Sequence, residues 1–255
     1  MTWNLVTFAN ENFYDRQNYL EKYAEKLGMG SYSYTHEWLK KQDFYEENKN
    51  ILQDETGLGY FLWKSYIIND AIGKMEDGDV LFYTDVGDIF TPSLVQYVED
   101  IMDDDPCLLI KGNFKNKDWT RRDCFVYMDC DEEDYWESPQ LEGGMSFWRV
   151  CDQSKEIIAE WLKFASDRRI VSDDENVCGK DNFPTFKEHR WDQSILTNLA
   201  VKNGLSVAPE DIRGYIECNY DYWYERYGKG GAPTYRPVDK FLLEKKDELM
   251  GLYNA

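Results

Sequence analysis

The feature that most constrains the fold of this chain is a compact apolar run, Asp79–Thr84 (DVLFYT), which follows a glycine and leads into a polar loop. A short run without polar alternation is typical of a strand that is covered on both faces. Just before it, Ile68, Ala71, Ile72 and Met75 recur at i, i+3, i+4, i+7, the spacing of a buried helical stripe. We therefore predict a helix followed by a central strand of an α/β sheet.

Strand-like and helix-like segments alternate along the chain. Strands are expected at Asn4–Ala9, Cys107–Lys111, Cys124–Met128 and Met145–Val150, and helices at Asn12–Leu27, His36–Gln53, Leu62–Met75, Pro92–Met102, Ser154–Ala165, Thr185–Asn203 and Asp239–Leu252. This alternation predicts a sheet covered by helices on both faces. We expect one domain over residues 1–255, with 206–255 as a helical, aromatic extension packed on it. Ligands of such sheets bind beyond the carboxyl ends of the strands, so the loop after Thr84 is the first candidate site.

The charge of the chain excludes some functions. Its 49 acidic and 29 basic side chains leave a formal charge of −20. Affinity for nucleic acid comes largely from Lys and Arg, and anionic membranes attract basic segments, so neither partner is expected.

The first residues lack the pattern of a secretory signal, and no run approaches the roughly 20 apolar residues that span a bilayer. The six cysteines are scattered without paired spacing, which favours free thiols over a zinc site. We therefore expect a cytoplasmic protein without membrane insertion.

The loop after the central strand carries Asp85, Gly87 and Asp88. Carboxylate oxygens suit Mg²⁺ or Mn²⁺, which commonly also binds substrate phosphates. Asp and Gly are also common in turns, so an ordinary strand-to-helix turn is the alternative.

Four segments in order carry a resemblance to a known family: Gly57–Tyr66 (GLGYFLWKSY), Leu81–Asp88 (LFYTDVGD), Thr120–Asp123 (TRRD) and His189–Ser194 (HRWDQS). Together they resemble nucleotide-sugar glycosyltransferases of the GT-A type, especially small ones of bacteria and large DNA viruses. The similarity covers most of residues 1–205. It implies a Rossmann-like GT-A fold with a mixed, mainly parallel sheet.

The resemblance also implies a site. Metal ligands would be Asp85 and Asp88, which would hold Mn²⁺ or Mg²⁺ on the donor diphosphate, and His189 and Asp192 would lie at the reaction centre. Donor-binding residues would be Lys64, Arg122, Asp123, Glu142, Gly143 and Gln193. The sequence departs from the family pattern where Gly87 replaces the usual third-position carboxylate, which leaves open how Asp88 would contact the metal.

Each of these residues has a plainer interpretation. Lys64 could be a solvated side chain lying over Trp63, and Arg122 with Asp123 could form a surface turn paired with nearby carboxylates. The glycines after Glu142 fit a bulge as well as a sugar site.

The segment around His189 permits a geometric argument. Thr185 and Glu188 match a capping box, so a helix starting there would place His189, Asp192 and Gln193 on one face. Alternatively, Asp192 is itself the N-cap and His189 is a structural group in the preceding loop.

The segment Asn219–Arg236 is rich in tyrosine around a Gly-rich stretch with Lys229. Such aromatics stack on sugars, but more often pack a terminal segment onto the core. The acidic runs near residues 103, 131 and 173 are interpreted as solvated surface.

The sequence thus predicts a metal-dependent transferase that moves a sugar from a nucleoside-diphosphate donor to a glycan or other hydroxyl acceptor. Two other classes stay open: a carbohydrate-binding protein with a degenerate transferase fold, and a sugar-phosphate nucleotidyltransferase. The latter is disfavoured because no Gly-rich phosphate loop lies near the N-terminus.

Overall fold

The predicted central strand forms as Val80–Thr84, and all five of its residues are buried. The computed structural model describes residues 1–218. The expected helix at 239–252, the tyrosine-rich segment with Lys229, and most of the predicted extension lie outside the described residues.

The strands are β1 (Trp3–Ala9), β2 (Gly30–Thr35), β3 (Val80–Thr84), β4 (Asp88–Phe90), β5 (Cys107–Lys115), β6 (Pro139–Arg149) and β7 (Ile216–Cys218). The helical segments are α1 (Tyr14–Lys26), α2 (His36–Leu39), α3 (Asp43–Glu47), α4 (Lys49–Leu52), α5 (Gly57–Tyr60), α6 (Leu62–Ile72), α7 (Ser93–Met102), α8 (Arg122–Tyr127), α9 (Glu133–Trp136), α10 (Asp152–Ala165), α11 (Arg168–Val171) and α12 (Trp191–Asn203). Short 3₁₀ turns lie at Asn116–Asp118 and Glu210–Gly214.

Five strands form one sheet in the order β2-β1-β3-β6-β5. Strand β1 pairs in parallel with β2 and β3, whereas β6 pairs antiparallel with both β3 and β5. Four strands therefore run in one direction and β6 runs against them. This mixed, mainly parallel sheet confirms the predicted fold class.

Strand β3 shows how the sheet is covered on both faces. Leu81 and Tyr83 join a core cluster with residues of α6, α10 and α12, while Val80 and Phe82 join a second cluster with α1 and α7. Successive side chains of a strand point to opposite faces, so an entirely apolar strand needs a helical layer on each side. The expectation of a doubly covered sheet is confirmed.

The prediction of a strand at Cys124–Met128 is wrong, because Arg122–Tyr127 forms α8. Cys124, Phe125 and Met128 all join the same core cluster. A strand would split neighbouring residues between two faces, whereas a helix places positions i, i+1 and i+4 on one side.

Two predicted helices are shorter than expected. The segment His36–Gln53 breaks into α2, α3 and α4. The helix expected from Thr185 begins instead at Trp191, because residues 185–190 bind the segment before α8. Lys187 N–H donates to Asp118 O at 2.8 Å and Arg190 N–H to Trp119 O at 3.0 Å.

Strand β2 has no apolar run and was not predicted. It pairs with β1 at the sheet edge, where only one of its residues, Tyr34, is buried. A separate ribbon pairs β4 with β7, Asp88 lying opposite Cys218.

No helix within residues 1–218 is long and apolar enough to cross a membrane. Five cysteines are free thiols, as the scattered spacing predicts: Cys107, Cys124, Cys130, Cys151 and Cys178.

Candidate active site

Two carboxylates converge in the loop that follows β3. Asp85 N–H donates to Gly144 O at 2.7 Å, and Asp88 N–H donates to Asp85 O at 3.0 Å, so the loop is folded against β6. A methyl group built on Gly144 would lie 3.3 Å from Oδ2 of both Asp85 and Asp88. The bare backbone of Gly144 thus leaves room where the two carboxylates meet. The Tyr83 hydroxyl donates to Asp85 Oδ1 and holds that carboxylate from the strand side.

Lys64 brings a buried positive charge to the same place. Its side chain is 4% exposed, and its Nζ donates to Gly143 O at 2.8 Å. The same nitrogen lies 3.1 Å from Asp192 Oδ2 and 3.9 Å from Asp85 Oδ1. Burial alone would lower the pKa of Lys64, but Asp192 and Asp85 outweigh it and raise that pKa above its usual value. The amine is therefore protonated at neutral pH.

Asp192 faces Lys64 from the first turn of α12, and its side chain is also 4% exposed. Burial raises the pKa of Asp192 to about 6, and the attraction of Lys64 opposes that rise. At neutral pH the two groups form a buried ion pair. Breaking such a pair leaves an uncompensated buried charge, so each partner holds the other in place.

An unusual backbone segment places Lys64. Five consecutive residues, Gly57 to Phe61, have positive φ between 53° and 94°, so α5 is a left-handed turn. Gly59 suits this conformation, and a methyl group there would lie 2.6 Å from Leu52 Cα. The Trp63 indole N–H donates to Gly57 O at 2.9 Å and ties the turn to the start of α6.

This left-handed turn also lines a cavity of about 220 Å³ that reaches Asp85, hereafter the first cavity. Phe8 and Trp63 stack within it at 3.9 Å between ring centroids. The buried Arg16 lies in its wall, 5.1 Å from the Phe13 ring. Its apolar lining is Phe8, Phe13, Leu58, Phe61, Trp63 and Val86, and Asp85 and Gly87 are also in its wall.

Gly143 connects Lys64 to Gln193. The Gly143 N–H donates to Gln193 Oε1 at 3.0 Å, while its carbonyl accepts from Lys64. Gln193 Nε2 in turn donates to Gln140 Oε1 at 3.1 Å, which fixes the orientation of the Gln193 amide. A methyl group on Gly143 would lie 3.2 Å from Gln193 Cβ, so the close approach depends on glycine.

His189 lies three residues before Asp192, ahead of the start of α12, and makes different contacts. Its Nδ1 accepts from Arg121 N–H at 3.2 Å, and its Nε2 lies 2.9 Å from Ile170 O, to which it donates. Burial and the charge of Arg121 lower the pKa of His189 to about 3. The imidazole is therefore neutral, with both nitrogens bound to backbone.

Arg122 and Asp123 make contacts away from the two converging carboxylates. Arg122 Nη2 donates to Asp131 Oδ2 at 3.1 Å, with its guanidinium 4.3 Å from the Phe183 ring centroid. The Asp123 carboxylate accepts from the backbone N–H groups of Val177 and Cys178 at 2.9 Å each. Both side chains therefore hold the segment around residues 176–183 in place.

The Glu142 side chain lies away from the two converging carboxylates and contacts Arg213. Its Oε1 accepts from Arg213 Nη2 at 2.7 Å, and both residues line a second cavity that is described below. The structure thus brings together Lys64, Asp85, Asp88, Gly143, Asp192 and Gln193, and places His189, Arg122, Asp123 and Glu142 in other contacts.

A divalent metal fits the pair of carboxylates if phosphates complete its ligands. Within residues 1–218 no group of three or more His, Cys, Asp or Glu side chains is arranged to hold a metal. Mg²⁺, however, is usually bound through one or two carboxylates together with substrate phosphates and waters. Oδ2 of Asp85 and Oδ2 of Asp88 lie 3.3 Å from the same point beside Gly144, an arrangement that suits an ion that arrives with a diphosphate.

Sequence reasoning missed several residues of this region. Tyr83 could have been found, because residues two apart on a strand share a face and Tyr83 lies two before Asp85. No sequence motif marks Arg16, Gln140 or Arg213 as site residues, because only the tertiary fold brings them to the cavities.

The chain is similar to several solved structures. The galactosyltransferase LgtC, in complex with donor and acceptor sugar analogues, is 14% identical, with 97% of this chain and 95% of that chain covered at a TM-score of 0.46. Mouse xyloside xylosyltransferase 1 is 8% identical, with coverages of 95% and 93% and a TM-score of 0.44. A glycosyltransferase involved in the glycosylation of the major capsid of PBCV-1 is 13% identical, with coverages of 64% and 67% and a TM-score of 0.38.

All three are glycosyltransferases. No protein-family model matches the sequence, and no curated protein matches it.

Proposed function

We propose that the protein is a glycosyltransferase that moves a sugar from a nucleoside-diphosphate donor to a hydroxyl acceptor. One observation carries the proposal: the carboxylates of Asp85 and Asp88 and the buried pair Lys64–Asp192 meet at the carboxyl end of β3, beside an aromatic cavity. The order of the four sequence segments supports the same conclusion.

In this proposal Asp85 and Asp88 hold Mn²⁺ or Mg²⁺ against the donor diphosphate. Such an ion stabilises the negative charge that develops on the diphosphate as the sugar leaves. The first cavity would take the base of a UDP or GDP group, because its aromatic walls offer stacking surfaces and its rim includes Asp85.

Lys64 and Asp192 set the charge at the reaction centre. The protonated Lys64 lies within 3.9 Å of Asp85, so it can add positive charge beside the diphosphate. Asp192 keeps Lys64 charged and, being ionised at neutral pH, can accept a hydrogen bond from a sugar hydroxyl. If transfer inverts the configuration of the sugar, Asp192 is the candidate general base.

The contacts of the other predicted residues favour supporting roles. His189 and Asp123 anchor backbone, and Arg122 anchors Asp131, so we propose that these three shape the site without touching the donor. Gln193 would position Gly143, and Glu142 would belong to the acceptor side.

The test is donor turnover. Wild-type protein is incubated with a panel of UDP- and GDP-sugars and Mn²⁺, and release of nucleoside diphosphate is followed. Asp85→Asn keeps the shape and the bond from Tyr83 but removes the charge, and we expect at least about a hundredfold loss of release, as for other groups that stabilise transition-state charge. Asp104→Asn, an exposed carboxylate elsewhere, is the matched control and should leave release unchanged.

Other outcomes identify the alternatives. Sugar binding without metal and without release from any donor would favour a carbohydrate-binding protein. Formation of pyrophosphate from a nucleoside triphosphate and a sugar phosphate would favour a nucleotidyltransferase.

A further inference from the structure

A second cavity, of about 390 Å³, shares no lining residue with the first. Its walls come from β5, from the start of β6, from the start of α12 and from the 3₁₀ turn at Glu210–Gly214. The residues that matter here are Asn113, Phe114, Glu142, Arg190, Gln193 and Arg213.

The second cavity borders the reaction centre through one residue, Gly143. Gln193 lines the cavity and accepts from Gly143 N–H, and the carbonyl of Gly143 accepts from Lys64. Glu142, the residue before Gly143, also lines the cavity. A ligand in this space would therefore lie next to the residues that we assign to the donor diphosphate.

Phe114 is exposed at this cavity. Four large hydrophobic side chains are exposed among residues 1–218, and Phe114, at 52%, is the aromatic one. It is held by Trp119 at 4.9 Å between ring centroids, and the Arg190 guanidinium covers Trp119 at 4.6 Å. An aromatic ring kept at a cavity wall in this way offers a flat apolar surface, and sugars present CH faces that stack on such rings.

The charged groups of the second cavity are paired. Arg213 contacts Glu142 at 2.7 Å, and Arg190 contacts Glu188 at 2.5 Å. Paired charges give no strong preference for an ionic ligand, whereas carboxylate and guanidinium edges, with the exposed amide of Asn113, provide partners for hydroxyl groups. The lining thus combines an apolar platform with polar groups and lacks a dominant charge.

We propose that the second cavity binds the acceptor, and that the acceptor is an uncharged carbohydrate whose apolar face stacks on Phe114. This inference rests on the proposed function. In the transfer, the acceptor hydroxyl oxygen bonds to the anomeric carbon of the donor sugar, and the bond from that carbon to the diphosphate breaks. The diphosphate keeps the electron pair, and the hydroxyl proton passes to Asp192, the candidate general base if the transfer inverts, and from there to water.

The experiment separates acceptor binding from donor turnover. Lactose, maltose and cellobiose are added at a fixed concentration of the donor that the panel identifies, and their KM values are measured from the stimulated release of nucleoside diphosphate. Phe114→Ala should raise the KM of the stimulating disaccharide about tenfold, the value of one aromatic contact, and change the donor KM less than twofold. Phe114→Trp should restore the acceptor KM. Val177→Ala, another exposed apolar side chain, is the matched control and should change neither constant.

The assignment is overturned if the disaccharide KM is the same in Phe114→Ala, or if donor and acceptor KM rise together. It is also overturned if only charged sugars or hydroxyl-bearing peptides stimulate release. Saturation-transfer NMR with the same disaccharides, without donor, tests the cavity even if no donor is turned over. If no donor is turned over but the signal is lost in Phe114→Ala, the carbohydrate site is supported and the proposed function fails. No signal in wild type, or an equal signal in Phe114→Ala, would contradict the site itself.

Discussion

Both ring nitrogens of His189 bind backbone groups, Nδ1 that of Arg121 and Nε2 that of Ile170. The ring therefore has no nitrogen left for proton transfer, although it lies three residues before Asp192. Sequence spacing placed the two residues near each other but could not show this, because the partners of His189 come from distant parts of the chain. The same holds for Asp123, whose carboxylate is used by a segment about 55 residues away.

The contacts of His189 predict a pH-dependent stability. Its pKa is about 3 in the folded chain and about 6.5 in an unfolded one, so the unfolded state binds the proton first as the pH falls. The stability that the neutral His189 ring contributes is therefore fully present above pH 6.5 and is lost as the pH falls towards 3. For His189→Gln, which removes the titrating group, we expect the difference in unfolding free energy from wild type to shrink by about 2 kcal/mol between pH 7.5 and pH 5. Urea unfolding at both pH values measures it.

His36→Gln is the comparison for that measurement. Burial also lowers the pKa of His36, but this side chain is only half-buried, so its variant should change less between the two pH values. An equal difference at both pH values for His189→Gln would show that the ring is not held neutral.

At the scale of elements, the left-handed turn α5 is the most demanding part of the fold. A left-handed conformation costs about 1–2 kcal/mol for each residue with a side chain, and Leu58, Tyr60 and Phe61 all adopt it. The turn survives because packing and the bond from Trp63 to Gly57 hold it. The turn leads directly into α6, whose first turn carries Lys64 to within 3.1 Å of Asp192.

Alanine substitution at the two glycines that flank α6 should have opposite effects. Gly59→Ala combines positive φ with a 2.6 Å contact to Leu52 Cα, so we expect the free energy of unfolding to fall by at least about 2 kcal/mol. Gly73 has φ of −69°, and a methyl group there would lie 3.4 Å from Asn69 O, an ordinary contact distance. Gly73→Ala should therefore be neutral or stabilise the protein by up to about 1 kcal/mol. Urea unfolding of both variants tests this. Equal effects would mean that the turn is not strained.

Most of the sheet and the larger helices could be predicted, because β1, β3, α6 and α10 carry clear apolar patterns. The failures have a common cause. The helix α8 and the irregular segment 185–190 are decided by long-range packing and backbone hydrogen bonds, which the local sequence pattern does not contain. Gly57 and Gly59 are compatible with the left-handed turn, but the sequence does not indicate that Leu58, Tyr60 and Phe61 also adopt positive φ.

The site could be predicted in part for the same reason. Asp85 and Asp88 were expected as candidates from their place after β3, whereas Lys64 was named from the family resemblance, with a solvated side chain as the alternative. Arg122 and Asp123 were also predicted as donor-binding residues, but their side chains contact Asp131 and the backbone at residues 177–178 instead.

At the scale of the whole molecule, the formal charge of −20 should repel a free diphosphate. Binding of UDP without metal should therefore strengthen when salt rises from 0.01 M to 0.1 M, because the Debye length falls from about 30 Å to about 10 Å. With Mn²⁺, binding should be much tighter and less sensitive to salt. Isothermal titration calorimetry measures all four conditions.

Uridine is the control, since it has the same base and no charge, and its binding should not change with salt. If salt weakens the metal-free binding of UDP, the local charge of Lys64 and Arg16 outweighs the field of the whole chain, and diphosphate binding would not need a metal.

The backbone of Gly143 has a consequence for how the two cavities communicate. Gln193 accepts from the Gly143 N–H and Lys64 donates to the Gly143 carbonyl, so the two peptide units on either side of the Gly143 Cα are each held by one side chain. A ligand that draws Gln193 away releases one of these peptide units, and rotation of the Gly143 backbone then moves the carbonyl that anchors Lys64. Ligand binding in one cavity therefore changes binding in the other, and by linkage the effect must be mutual.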